Sequence, residues 1–134
     1  MDVQALQEHC LALPGAWPDN PLEHDHPVIK VGEGERCKIF AFLVADTVGV
    51  KAVRSREVSD AWLDRYPADG IVMAYIGRSG WNSLSLSGTI PDDELIEAVE
   101  DSYRLVVEGL PRKHRPPGWE TVSDDSAVPD QEDR

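Results

Sequence analysis

Basic side chains are the residues of this sequence best suited to hold an anionic ligand. Between residues 30 and 56, six basic residues stand against three acidic ones; the basic residues are Lys30, Arg36, Lys38, Lys51, Arg54 and Arg56. A separate turn, Gly77-Arg78-Ser79-Gly80, combines the Arg78 guanidinium with a hydroxyl and glycine-exposed backbone N–H groups, which together can bind one phosphate or carboxylate. The alternative is a solvated arginine in an ordinary turn, because glycine is common in turns for backbone reasons alone.

Aromatic residues accompany the first basic group. Strict alternation along a strand would give two faces: Arg36, Lys38, Phe40 and Phe42 on one, and Ile39, Ala41 and Leu43 on the other. A face with bases and aromatic rings can stack on and neutralise a single-stranded nucleic acid or a nucleotide. The alternative is that Phe40 and Phe42 pack beneath a helix, which is the commoner role of phenylalanine. Trp81 raises the same choice between packing and ligand contact.

Other charged clusters have simpler interpretations. The turn Gly32-Glu33-Gly34-Glu35 presents two carboxylates, so that end of the sheet should repel nucleic acid. The basic run Arg112-Lys113-His114-Arg115 follows a predicted helix end, where cations complement the helix dipole.

Neither a metal site nor a catalytic motif is predicted. The segment His24-Asp25-His26 supplies at most three ligands, and Cys10 and Cys37 lack the spacing of a zinc site or a disulfide framework. The sequence also lacks a nucleophile elbow, a phosphate-binding loop and a dinucleotide fingerprint. We therefore expect a protein that is not an enzyme and carries no cofactor.

The overall charge limits the choice of partner. The 134 residues include 25 acidic and 13 basic side chains, a net charge of −12, which disfavours non-specific binding to phosphate backbones. The longest uncharged apolar stretch, residues 39–45, is too short to cross a bilayer, and the first residues do not resemble a signal peptide. We expect a cytoplasmic monomer without a membrane partner.

Hydrophobic periodicity predicts the elements that must position these side chains. Apolar residues at three- and four-residue intervals predict a helix over residues 2–13 and a longer one from Pro91 to a stop at Gly109 and Pro111. Ser55 is a suitable N-cap for a short helix that ends before Pro67. Apolar runs at 27–31, 36–44 and 47–53 predict three strands of an antiparallel meander, and runs at 71–75 and 81–86 predict two more strands joined by the turn at 77–80.

The last residues differ in composition. Residues 120–134 hold six acidic side chains and one basic one, with few apolar residues to dock. The sequence therefore predicts one domain over residues 1–117, followed by a disordered acidic tail over residues 118–134.

Several motifs resemble the MmcQ/YjbR family of small bacterial proteins, over about residues 6–113. In the first half these are LALPGAW, PVIKV and KIFAFL. In the second half they are Trp81-Asn82, Ile90-Pro91-Asp92, Ser102-Tyr103-Arg104-Leu105-Val106-Val107 and Leu110-Pro111-Arg112-Lys113.

The resemblance implies a two-layer α+β domain, in which an antiparallel sheet packs against an N-terminal and a long C-terminal helix. It also implies DNA binding through two wing-like hairpins. Where family members carry a basic or histidine-bearing loop before Trp-Asn, this chain has Arg78-Ser79-Gly80 with one charge. We therefore expect weak nucleic-acid binding, or alternatively a protein-interaction or small-ligand module on the same sheet. The candidate binding residues are Lys30, Lys38, Arg54, Arg56, Arg78 and Trp81.

Overall fold

A computed structural model describes residues 1–20, 27–44, 46–51, 60, 63–72 and 81–122 of the chain. The helices and strands, numbered in chain order, are α1 (Val3–Leu11), β1 (Ala16–Asp19), β2 (Val28–Val31), β3 (Lys38–Val44), β4 (Thr47–Lys51), β5 (Gly70–Val72), β6 (Trp81–Ser85) and α2 (Asp92–Glu108). The six strands form one sheet in the order β1-β2-β3-β4-β6-β5, and each neighbouring pair is antiparallel.

The two helices cover one face of this sheet. α1 contacts α2, and α2 packs along β3 and β4. α1 is capped by the side chain of Asp2, which accepts a hydrogen bond from the Ala5 N–H at 3.3 Å, and it buries Leu6 and Cys10. The predicted α+β class, with an antiparallel sheet packed by an N-terminal and a long C-terminal helix, is confirmed.

The sequence of α2 explains its start, its buried side and its end. Its first turn carries Asp92, Asp93 and Glu94, whose charges favour the positive end of the helix dipole. The buried residues recur at helical spacing: Leu95, Ala98, Val99, Ser102, Tyr103, Val106 and Val107. Gly109 ends the helix, as predicted.

A bulge interrupts β3 at Phe40. Ile29 of β2 pairs with Ala41, but the next residue of β2, Lys30, pairs with Ile39. Phe40 is therefore an extra residue in β3, and the alternation of side chains changes across it.

The bulge separates the two phenylalanines of this strand. Phe40 packs edge-on against Tyr103 of α2, with ring centroids 5.2 Å apart, whereas Phe42 packs against Trp81 of β6 at 5.4 Å. The prediction that Phe40 and Phe42 share one face is wrong, because strict alternation does not hold through a bulge.

Ser102 of α2 joins the helix to the bulged strand. Its hydroxyl donates to the carbonyl oxygen of Phe40 at 2.7 Å and accepts from the N–H of Lys51 at 2.9 Å. The hydroxyl is fully buried and satisfies one backbone group on each of two neighbouring strands.

Other element boundaries differ from the prediction in places. β1 was not predicted, and the strand predicted from residue 36 begins at Lys38 because Gly34–Arg36 form a 3₁₀ turn. Residues 60 and 63–65 are helical, as expected of the short helix before Pro67, but its predicted N-cap Ser55 lies outside the described residues.

The folded region continues beyond residue 117. Trp119–Thr121 form a 3₁₀ turn, and Val122 packs into the hydrophobic core with 8% of its surface exposed. Trp119 and Val122, which the sequence analysis assigned to the tail beginning at residue 118, therefore pack against the domain. The rest of the predicted tail, residues 123–134, lies outside the described residues.

Candidate functional site

Lys30, one of the predicted binding residues, already has an anionic partner in the fold. Its ammonium group lies 2.6 Å from a carboxylate oxygen of Asp19, and it sits 5.5 Å from the centre of the Trp17 ring. The hydrogen bond with Asp19 raises the pKa of Lys30. The charge of Lys30 is thus largely matched within the sheet.

Trp81, the predicted aromatic contact, is a packing residue in the described structure. Only 8% of its surface is exposed, and its ring meets Phe42 at an interplanar angle of 76°. Strand register places both rings on the face of the sheet that is turned away from α2. The packing role expected for Trp81 is therefore found, but not between sheet and α2.

Lys38 is exposed at the start of β3. Because its neighbour Ile39 pairs with Lys30, the two lysines lie on opposite faces of the sheet. Arg54, Arg56 and Arg78 lie outside the described residues. Those predicted residues that the structure describes are therefore not gathered into one basic surface.

A cleft of about 570 Å³ lies at the β1–β2 edge of the sheet. We call it the edge cleft; its lining residues are Gly15, Trp17, Gly32, Glu33, Gly34, Lys113, His114, Arg115, Pro116 and Pro117. One wall is the β2–β3 turn, and the other is the segment that follows α2. A volume of this size is typical of small-molecule sites.

Close backbone packing holds the floor of the edge cleft. Gly15 adopts φ = +73°, and a Cβ atom added there would lie 2.7 Å from the Cβ of Pro116. The indole N–H of Trp17 donates to the carbonyl oxygen of Gly32 at 2.8 Å. These contacts join segments that are distant in sequence, and a larger side chain at residue 15 would push them apart.

Arg115 fixes the wall that follows α2. Its guanidinium donates to the carbonyl oxygens of Leu110 at 3.0 Å and Glu108 at 2.8 Å, and it lies 5.5 Å from the centre of the Trp119 ring. It therefore caps the carbonyl end of α2, which is the role that the sequence predicted for the basic run.

The two basic side chains before Arg115 have no such partner. Lys113 is exposed and His114 is half-buried, and across the described ranges neither side chain makes an ion pair or a hydrogen bond. Glu33, on the opposite wall, is exposed and likewise unpaired within those ranges. The sequence analysis missed this site because it treated the basic run and the acidic turn separately, with nothing to show that they face each other.

Few of the described side chains are placed for metal binding or redox chemistry. They contain no group of three or more His, Cys, Asp or Glu side chains placed to hold a metal ion. Cys10 is buried, and burial raises the pKa of its thiol to about 12. The segment His24-Asp25-His26 lies outside the described residues. Among the helices that the structure describes, none is long and apolar enough to span a membrane.

The order of the strands and the position of the helices define a small α+β domain with an antiparallel sheet. The YjbR family matches residues 11–105, and the chain belongs to this family. The uncharacterized protein YjbR of Escherichia coli K12 is 26% identical over 117 residues, which cover 86% of this chain and 95% of that protein. The YjbR protein of Escherichia coli O157:H7 has the same identity and coverage.

A solved structure shares the fold. The crystal structure of the Deinococcus radiodurans protein DR2400, which has a DUF419 domain, superposes with a TM-score of 0.73 at 24% identity and covers 84% of each chain. The family expected from the sequence motifs is thus confirmed, and the function of the edge cleft has to be argued from its own chemistry.

Proposed function

We propose that this protein is a non-catalytic binding module that holds a small anionic ligand in the edge cleft. The observation that carries this proposal is the pairing of a ligand-sized cleft with two cationic or titratable side chains, Lys113 and His114, that no carboxylate in the described residues neutralises. Cations that are already paired, such as Lys30, would have to lose a partner before they bound a ligand.

Each part of the cleft has a separate role in this proposal. The Lys113 ammonium is a mobile point charge that suits a phosphate or carboxylate. The His114 imidazole offers a hydrogen-bond donor beside it. The rings of Trp17, Pro116 and Pro117 supply apolar surface for the rest of the ligand.

Nucleic acid is the weaker candidate for the ligand. The net charge of −12 opposes the approach of a polyanion, and of the predicted contacts Lys30 is paired with Asp19 and Trp81 is covered by packing. We propose that any duplex binding is weak, with a dissociation constant of roughly 10 μM or above at physiological salt.

The test is an NMR titration of the ¹⁵N-labelled full chain with inorganic phosphate and, separately, with a short DNA duplex. We expect phosphate to shift the indole signal of Trp17 and the amide signals of Gly32 and Gly34. Lys113→Gln should weaken phosphate binding by about fivefold, the scale of one exposed charge-assisted hydrogen bond. The matched control Lys38→Gln removes an exposed lysine outside the cleft and should change the affinity less than twofold.

Two results would count against the proposal. If phosphate leaves the cleft signals unmoved at millimolar concentration, the edge cleft is not an anion site. If the duplex binds tightly and Lys38→Gln weakens it more than Lys113→Gln does, the nucleic-acid hypothesis replaces ours.

A further inference from the structure

The edge cleft carries opposite charges on its two walls. Glu33 lies on the wall formed by the β2–β3 turn, and Lys113 and His114 lie on the wall that follows α2. The ion pairs within 4.0 Å among the described residues do not include Glu33 or Lys113, so the two charges do not neutralise each other across the cleft.

The position of Glu33 is set by its two flanking glycines. Gly32 has φ = +96° and Gly34 has φ = +59°, a left-handed conformation that favours glycine at both places. A Cβ atom at Gly32 would meet the Cα of Cys37 at 3.3 Å and a methyl group of Leu110 at 3.4 Å, so this side of the turn is packed against the domain. The turn thus presents the carboxylate from an anchored backbone.

A simple anion would satisfy only one wall. Its negative charge would be attracted by Lys113 but repelled by the Glu33 carboxylate across the same cleft, and the repulsion would offset part of the gain. A ligand with an anionic group at one end and an ammonium group at the other would complement both walls.

We therefore infer that the ligand of the edge cleft is a small dipolar molecule, with a phosphate or carboxylate facing Lys113 and His114 and an ammonium group facing Glu33. This inference rests on the proposed function and adds the second charge to the ligand. It identifies Glu33 as the residue that determines specificity, whereas Lys113 determines affinity for the anion.

The experiment compares two probes that differ by one ammonium group. O-phosphoethanolamine carries a phosphate and an ammonium group, whereas ethyl phosphate carries the phosphate alone. Both are titrated into the full chain at pH 7.5 and low salt, and the amide signals of Gly32 and Gly34 report binding. We expect phosphoethanolamine to bind roughly fivefold more tightly, because its ammonium group gains a carboxylate partner in place of the repulsion.

Two variants test whether the preference for phosphoethanolamine comes from the Glu33 carboxylate. Glu33→Gln should bring the two affinities within twofold, by weakening phosphoethanolamine and slightly strengthening ethyl phosphate. Glu35→Gln is the matched control, because Glu35 is exposed in the same turn but does not line the cleft; it should preserve the fivefold preference.

The outcomes separate the two proposals. If neither probe binds, the proposed anion site itself fails. If both bind equally well and Lys113→Gln weakens both, the anion site stands and the dipolar ligand is refuted. If the preference for phosphoethanolamine survives in Glu33→Gln, the ammonium group is recognised elsewhere and the role of Glu33 is refuted.

Discussion

Removal of the Ser102 hydroxyl should destabilise the domain well beyond the loss of one small polar group. The hydroxyl links α2 to two strands through the carbonyl oxygen of Phe40 and the N–H of Lys51. In Ser102→Ala, both backbone groups lose a partner: the Phe40 carbonyl oxygen in a fully buried residue and the Lys51 N–H in a half-buried one. An unsatisfied buried group costs about 1–3 kcal/mol, and the part-buried Lys51 N–H should fall at the lower end of this range, so we expect a total loss of about 2–4 kcal/mol.

The loss is measurable against the stability of an ordinary domain, which is about 5–15 kcal/mol. Urea denaturation followed by far-UV circular dichroism should show a lower midpoint with an unchanged slope, since the surface exposed on unfolding stays the same. Ser83→Ala is the control, because Ser83 is a half-buried residue of β6; its change should stay within about 0.5 kcal/mol. A loss below about 0.5 kcal/mol in Ser102→Ala would refute the bridging role.

Two further predictions concern pH and the end of the domain. Burial raises the pKa of Asp101 to about 6, and the nearby Glu97 carboxylate adds to the rise. The folded state therefore holds this proton more tightly than the unfolded chain, whose aspartates have a pKa of about 3.9, and Asp101 lowers stability as pH rises through this interval. Asp101→Asn should raise the melting temperature at pH 7.5, and this increase should disappear below about pH 4. Melting curves recorded between these pH values test the prediction, and an equal increase at pH 7.5 and pH 4 would contradict it. A chain that ends after residue 117 lacks Trp119 and Val122, and its free energy of unfolding in urea should be about 2–4 kcal/mol lower than that of the full chain. A chain that ends after residue 122 should match the full chain within about 0.5 kcal/mol. Equal stability of the two truncated chains would show that residues 118–122 contribute nothing.

The helices were the easiest elements to predict from the sequence. α2 combines acidic residues in its first turn, a regular apolar stripe and a glycine at its end, and all three signals are local. The buried set, which includes Tyr103 and Val106, follows from that stripe alone. Local signals of this kind predict the helix correctly because the helix needs only one apolar face to pack.

The sheet was harder to predict because its irregularities depend on neighbouring strands. β1 has only four residues, one of them Pro18, and the segment lacks the alternating pattern of a strand. The bulge at Phe40 is defined by the pairing with β2, which the sequence of β3 does not reveal. A bulge also exchanges the faces of the strand, so every face assignment on one side of it was affected.

The edge cleft could not be predicted for a related reason. Its lining comes from residues 15, 17 and 32–34 and from residues 113–117, and each of these segments has a sufficient local explanation, as a turn or as a helix cap. The docking of Pro116 on Gly15 brings the two together. The candidate binding residues predicted from the sequence lie elsewhere, mainly between residues 30 and 56.

The separation of the two walls along the chain has a thermodynamic consequence. Because the walls come from early and late parts of the sequence, a ligand that contacts both can bind only when these two segments are docked together. Such a ligand binds only the folded state and therefore stabilises it by mass action. At a ligand concentration 100 times the dissociation constant, the free energy of unfolding would rise by about 2.7 kcal/mol. A thermal-shift screen of small dipolar anions would therefore detect the ligand through the melting of the entire domain.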